Sequence, residues 1–254
     1  MQFKAIADTD VGLTKNINQD SLLIKHAKND EKEIVMAIIC DGMGGLALGE
    51  LASATVIRAF AKWFDEELPY ELKELNMQVI AEKWSLQLKE LNLKIIDFSK
   101  SMKGQGLGTT FSGILIIDDK YLIVHVGDTR VYEICKEVKQ LTTDQTFVAR
   151  EIARGNMTPE QAQKDKRRNM LLQCIGASQS VEPEIIFGDT QKGVYMLCSD
   201  GFRHEVTEEE MYQTLNAAKL KSKQQMHNHA KKMIDLVKTR KEKDNISVIL
   251  IKAE

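Results

Sequence analysis

Ile34-Val35-Met36-Ala37-Ile38-Ile39-Cys40 is an unbroken apolar run that stops abruptly at Asp41-Gly42. A run of that length, rich in Ile and Val, reads as a buried strand. The pattern recurs: Val194 to Cys198 leads through Ser199 into Asp200-Gly201, and Asp244 immediately precedes the run Ile246 to Ile251. A single Asp-Gly is most simply a turn. Aspartate is almost never buried without a partner, however, because desolvating a lone carboxylate is too costly. Several acids set at strand ends therefore call for a counter-charge, and a cluster of hard oxygen ligands suits Mg²⁺ or Mn²⁺. Met43, Gly44 and Gly45 follow Gly42, so backbone there can approach something closely.

Outward from this run, strands are predicted over residues 3–8, 21–26 and 33–40, then a helix over 46–64 whose alanines (Ala47, Ala52, Ala54, Ala59, Ala61) permit close packing on a sheet. Pro69 stops the chain. Leu72, Leu75, Val79, Ile80, Trp84, Leu88, Leu91 and Ile95 fall at helical spacing, predicting one long amphipathic helix over 71–102. A meander follows, with strands over 109–117, 121–126 and 130–135 and a tight turn at Asp118-Asp119. Residues 146–169 are polar, contain Gly155 and Pro159, and read as a mobile insertion with short helical turns. Strands at 184–187 and 194–198, two late helices and a closing strand at 246–251 complete the chain. The last helix, about 222–240, is lysine-rich and reads as a solvated face. Short antiparallel groups with helices paired between them favour helices covering packed antiparallel sheets.

The 254 residues are 43% hydrophobic, enough for a sizeable core, and the formal charge of −2 offers no global attraction to nucleic acid or anionic lipid. No apolar run approaches the ~18 residues of a membrane span, and the N-terminus has no secretory h-region. Cys40, Cys135, Cys174 and Cys198 are scattered without a CxxC pair, which points to free thiols in a reducing, cytoplasmic compartment. None of the four has Arg at the spacing a cysteine-dependent phosphatase needs, and GxxxxGK[ST] is absent. His125 is expected to be a satisfied core histidine, His204 a solvent-facing loop residue, and His227 and His229 to have no metal role. Gly104, Gly106 and Gly108 are expected to give flexibility at a helix-to-strand junction.

Taken in order, eight blocks resemble a known family: Asp10-Val11-Gly12 with Asn18-Gln19-Asp20, Cys40-Asp41-Gly42-Met43-Gly44-Gly45, Gly108-Thr109-Thr110, Val126-Gly127-Asp128-Thr129-Arg130, Leu141-Thr142-Thr143-Asp144, Arg168-Asn169-Met170-Leu171, Ser199-Asp200-Gly201 and Asp244-Asn245-Ile246-Ser247. The chain resembles the PP2C (PPM) metal-dependent protein serine/threonine phosphatases in their compact bacterial form. That resemblance implies an α+β fold, a four-layer α/β/β/α sandwich of two antiparallel sheets flanked by helix pairs, forming a single domain over 1–254 with a flap-like insertion at about 146–169. It implies two Mn²⁺ or Mg²⁺ ions, with Asp41 bridging both, the Gly42 carbonyl binding one, and Asp200 and Asp244 completing the ligands. A third, weaker ion is frequent in bacterial members, and Asp128 together with Asp200 would hold it. Asp20 would orient ligands or water, and Lys15 stands where many members place the Arg that clasps substrate phosphate. The implied reaction is hydrolysis of phosphoserine or phosphothreonine on proteins by direct attack of a metal-bridging water.

The implied partners are phosphorylated substrates of a Ser/Thr protein kinase, met by a monomer, with no role for nucleic acid or membrane. The chain departs from the pattern at Lys15, Gln19, Met43 and Gln145, none of them an implied metal ligand. Two alternatives stay open: a weak or inactive relative that binds phosphoproteins, and a partner-switching phosphatase of an anti-anti-sigma-like protein. The Lys164 to Arg168 cluster reads equally as a phosphopeptide lure or a surface charge run.

Overall fold

The computed structural model describes residues 1–29, 32–44, 48–102 and 106–254; Leu46 and Ala47 at the expected helix start, together with Gly45 and Gly104, lie outside the described residues. The central strand β3 (Glu33–Cys40) is buried along its entire length because both of its faces are covered. Ile34, Met36, Ile38 and Cys40 pack with Phe60, Trp63 and Trp84 of two helices. Val35, Ala37 and Ile39 face the other way, onto Tyr195, Leu197, Ile249 and Ile251 of a second sheet. Alternate side chains point to opposite faces, so a strand clothed on both sides must be continuously apolar.

Two five-stranded antiparallel sheets form the inner layers. One runs β10 (Glu184–Asp189), β7 (Lys120–Val126), β6 (Phe111–Ile117), β3, β2 (Ser21–Lys28). The other runs β1 (Phe3–Asp10), β12 (Ile246–Ala253), β11 (Gly193–Cys198), β8 (Arg130–Ile134), β9 (Val138–Gln140). The small pair β4 (Gly42–Gly44) and β5 (Leu107–Thr109) adds a hairpin-like corner. Helices α1 (Gly49–Glu66) and α3 (Met77–Ser101) cover the first sheet, where Phe60, Trp63, Trp84 and Phe111 form an aromatic cluster in which Trp84 meets Phe60 and Trp63 edge-on, centroids 5.1 Å and 5.4 Å apart. Helices α7 (Glu208–Leu215) and α8 (Lys223–Thr239) cover the second sheet through Met211, Leu215, Met226, Met233 and Val237. Four layers result, in the α/β/β/α order.

Several local expectations are corrected. The long helix over 71–102 is broken: α2 (Leu68–Glu71) and a 3₁₀ turn at Leu72–Glu74 precede α3. Asn76 is the cause, since its side-chain oxygen accepts from the backbone N–H groups of Gln78 (3.0 Å) and Val79 (3.3 Å) and starts a new helix. Leu75 and Val79, counted toward the apolar stripe, are 40% and 37% exposed. Pro69 does not end a segment but sits in the first turn of α2, where its missing N–H costs nothing. The strand expected over 109–117 is split at Thr110 into β5 and β6. The 146–169 stretch holds α4 (Phe147–Ala153) and α5 (Pro159–Lys164), and the short elements β9 and α6 (Asp200–Arg203) were not anticipated.

Candidate functional site

Register brings the acids together. Asp41 leaves β3 where Cys40 pairs with Ser21, so Asp20 enters β2 at the same edge. Asp244 precedes β12 and Asp200 follows β11, whose Cys198 pairs with Val248 and with Arg130. Asp128 lies in the turn between β7 and β8. All five carboxylates therefore collect at one end of the two sheets, and each is half-buried or buried.

The backbone at Asp41 is fixed on both sides. Its N–H donates to Thr110 Oγ1 (2.9 Å), and its carbonyl accepts from Thr110 N (2.9 Å) and Thr109 Oγ1 (3.0 Å). The kink that splits β5 from β6 thus serves to hold Asp41. Gly42 admits no side chain, because a Cβ there would lie 2.4 Å from the Gly49 carbonyl and 2.5 Å from that of Gln19. Gly201 is as confined, since a Cβ there would lie 2.2 Å from the Asn245 carbonyl oxygen, and the close approach sets Asp200 against the Asp244 corner. Asn245 is buried and clips the residue 11–19 loop in place, donating to the Val11 and Ile17 carbonyls and accepting from Gln19 N–H at 2.9 Å. Ser247 Oγ donates to Asp20 Oδ2 at 2.6 Å. Neither Asn245 nor Ser247 was assigned a role from sequence, although both belong to the block that contains Asp244.

Burial, then the neighbouring charges of Asp200 and Asp244, push the Asp20 carboxyl up to about 7 against the pull of Ser247. Burial and the charges of Asp20, Asp200, Asp128 and Asp244 push Asp41 well above the ordinary carboxylate range. Asp20 Oδ1 and Asp200 Oδ1 are buried without a hydrogen-bond partner. Such a cluster lacks positive charge. The Lys15 ammonium supplies part of it, 2.8 Å from Asp244 Oδ1. Burial alone would lower the Lys15 pKa, but the hydrogen bond and charge of Asp244, with the charges of Asp41 and Asp200, raise it. Lys15 is thus seated on a carboxylate rather than free in the cleft. Among the described residues no three Asp, Glu, His or Cys side chains already enclose an ion position. The orphaned oxygens, the hard-oxygen donor set and the lysine standing in as a cation nevertheless fit divalent metal.

Asp128 and Asp144 belong to a separate network. Arg130 grips Asp144 through Nε and Nη2, both at 2.7 Å, while Arg203 Nη2 lies 3.3 Å from Asp144 Oδ2 and 3.7 Å from Asp128 Oδ2. Burial and Asp200 push Asp128 up to about 7, with Arg203 opposing. His125 is fully buried between Ser112 Oγ (2.8 Å) and the Thr143 carbonyl (3.1 Å), and burial lowers its pKa. His204 is not the solvent-facing loop residue expected: it caps α6 and leans between Asp200 Oδ2 (4.0 Å) and Glu242 Oε2 (3.7 Å), 19% exposed. His227 pairs with Asp8 at 2.9 Å, away from the centre.

Lys15, Asp200, Asp244 and His204 line a cavity of about 340 Å³ together with Arg168 and Asn169. An adjoining cavity of about 640 Å³ shares Arg168, Asn169 and His204 and runs beneath α4 and α5. The Lys164–Arg168 cluster therefore reaches the acidic centre through Arg168.

The chain is 29% identical over 247 residues to the serine/threonine protein phosphatase PstP of Mycobacterium tuberculosis, covering 96% of this chain and 44% of that protein, so it spans less than half of that relative's length. In three dimensions it is similar to the S. agalactiae serine/threonine phosphatase, with a TM-score of 0.85 and 26% identity over the full length of both chains. It is also similar to the catalytic domain of PstP in complex with two manganese ions, with a TM-score of 0.76, 26% identity, and coverage of 98% and 97%. The family described as Protein phosphatase 2C matches residues 14–250, and with this fold and this acidic centre the chain belongs to that family.

Proposed function

We propose that the chain is a metal-dependent protein phosphatase that hydrolyses phosphoserine and phosphothreonine esters on proteins. The observation that carries this is the pair of orphaned carboxylate oxygens, Asp20 Oδ1 and Asp200 Oδ1, in an acidic cluster where Lys15 is seated on Asp244. Asp41, Asp200, Asp244 and the Gly42 carbonyl would hold two divalent ions, Mn²⁺ or Mg²⁺, which when bound supply an activated water and neutralise phosphoryl charge. Lys15 and Arg168, which line the same cleft, would bind the phosphate oxygens. Lysine does so as a point charge and arginine as a two-pronged fork. Asp20, fixed by Ser247, orients water through its free oxygen. Met43 has no proton to donate, so the leaving Ser or Thr oxygen takes its proton from water in the cleft. No phosphoenzyme forms: water cleaves the P–O bond, giving inorganic phosphate and the free hydroxyl.

The stretch 146–169 with α4 and α5 serves as a flap beside this cleft, within one phosphatase domain. The phosphorylated proteins would be substrates of a Ser/Thr kinase, met by a monomer. No helix among the described residues is long and apolar enough to cross a membrane, and four free cysteines suit a reducing, cytoplasmic setting. Phosphate release from a phosphothreonine peptide should require Mn²⁺ or Mg²⁺ and stop in excess chelator. Asp41→Asn should lower kcat by at least about 100-fold, or ~2.7 kcal/mol of barrier. Activity that survives exhaustive chelation, or an Asp41→Asn protein as fast as the wild type, would overturn the proposal.

A further inference from the structure

Resting on the two-ion reading above, we infer that Arg203 is a built-in cation at Asp128, so that this chain has no third metal site there. The charge balance is local. Once ionised, Asp128 and Asp144 carry two negative charges, and Arg203 and Arg130 answer them with two positive ones. The Arg203 guanidinium is only 10% exposed and reaches both carboxylates through Nη2, which also donates to the Asp128 backbone carbonyl at 3.2 Å. The guanidinium is a permanent cation, so this positive charge stays beside Asp128 when an ion approaches. A dication bound to Asp128 would face the guanidinium at close range in a poorly solvated setting, where like charges repel strongly.

The contrast lies with Asp20, Asp41, Asp200 and Asp244, where Lys15 meets one carboxylate and two oxygens stay unpartnered. That side of the site has charge left for metal, whereas the Asp128 side is closed. Arg203 is held in place by the short helix α6 that begins at Asp200. The same element therefore presents one carboxylate toward the two-ion position and, three residues later, a fixed cation toward Asp128.

Calorimetric titration of the metal-free full chain with Mn²⁺, with free Mn²⁺ counted by its EPR signal, tests this directly. The wild type is expected to bind two ions and Arg203→Met three, the added ion being lost again in Arg203→Met with Asp128→Asn. Arg203→Lys keeps the charge and should stay at two. If thermal melting shows that Arg203→Met does not fold, Asp128→Asn alone decides: the count should stay at two. A third ion bound by the wild type at millimolar Mn²⁺, a count of two in folded Arg203→Met, or loss of an ion in Asp128→Asn would overturn the assignment. A wild type that binds no Mn²⁺ would instead remove the metal centre itself, and the assignment with it.

Discussion

A carboxylate at the end of a buried strand is tolerated only if some charge answers it, and the chain answers its carboxylates in two ways. Asp144 is gripped by Arg130 and approached by Arg203, and although burial opposes ionisation, these partners hold its pKa below the ordinary value. Its stabilising contribution is therefore complete above the unfolded aspartate pKa of about 3.9 and is lost as pH falls through the lower folded value. Asp144→Ala leaves two guanidinium groups without their shared partner and should cost about 3–5 kcal/mol in urea unfolding; a loss below ~1 kcal/mol would show that the pair contributes little. Lys15 should act in binding, not in turnover. Lys15→Met is expected to raise KM for a phosphothreonine peptide about tenfold, ~1.4 kcal/mol, with kcat nearly unchanged. The acids were legible in sequence because each interrupts or borders an apolar run. Arg203 was not: its contact with Asp128 spans 75 residues and follows from how α6 is aimed, which no local pattern encodes.

Among the elements, α3 is where sequence pattern and structure part company. The apolar spacing of Leu72, Leu75 and Val79 continues smoothly into Ile80 and Trp84, so periodicity alone joins them. Asn76 overrides it, because an Asn side chain that satisfies two orphan N–H groups favours a helix start over helix continuation. Asn76→Ala should therefore cost about 1 kcal/mol in thermal unfolding, whereas Trp84→Ala, which empties the centre of the aromatic cluster, should cost about 3–5 kcal/mol. Equal losses at the two positions would contradict this account of the helix. Strand β9 escaped notice because Val138, Lys139 and Gln140 offer too short a run and too little apolar surface. Strands β3, β11 and β12 were legible for the opposite reason, since burial on both faces writes itself as an uninterrupted apolar stretch.

The assembled sandwich makes the acidic end a source of instability when metal is withheld. Asp20 and Asp128 are raised to about 7, and Asp41 well above its ordinary value. Between the unfolded pKa of about 3.9 and those folded values the native state holds more protons than the unfolded chain, so stability falls as pH rises. His125, lowered by burial, works in the opposite direction near its ordinary pKa but is one group against three. In chelator the melting temperature should thus decline from about pH 5 to about pH 7, and Mn²⁺ should cancel the decline by replacing the protons. A melting temperature that rises through this window without metal would contradict the clustering of the acids. Four layers of packed sheet and helix exist, on this view, to force carboxylates from distant parts of the chain into one corner. Anomalous diffraction at the manganese edge from Mn²⁺-soaked crystals tests that most directly. Two peaks bounded by Asp41, Asp200 and Asp244, with Lys15 displaced from Asp244, are the predicted result; no peak there, with the lysine still seated on its carboxylate, would contradict it.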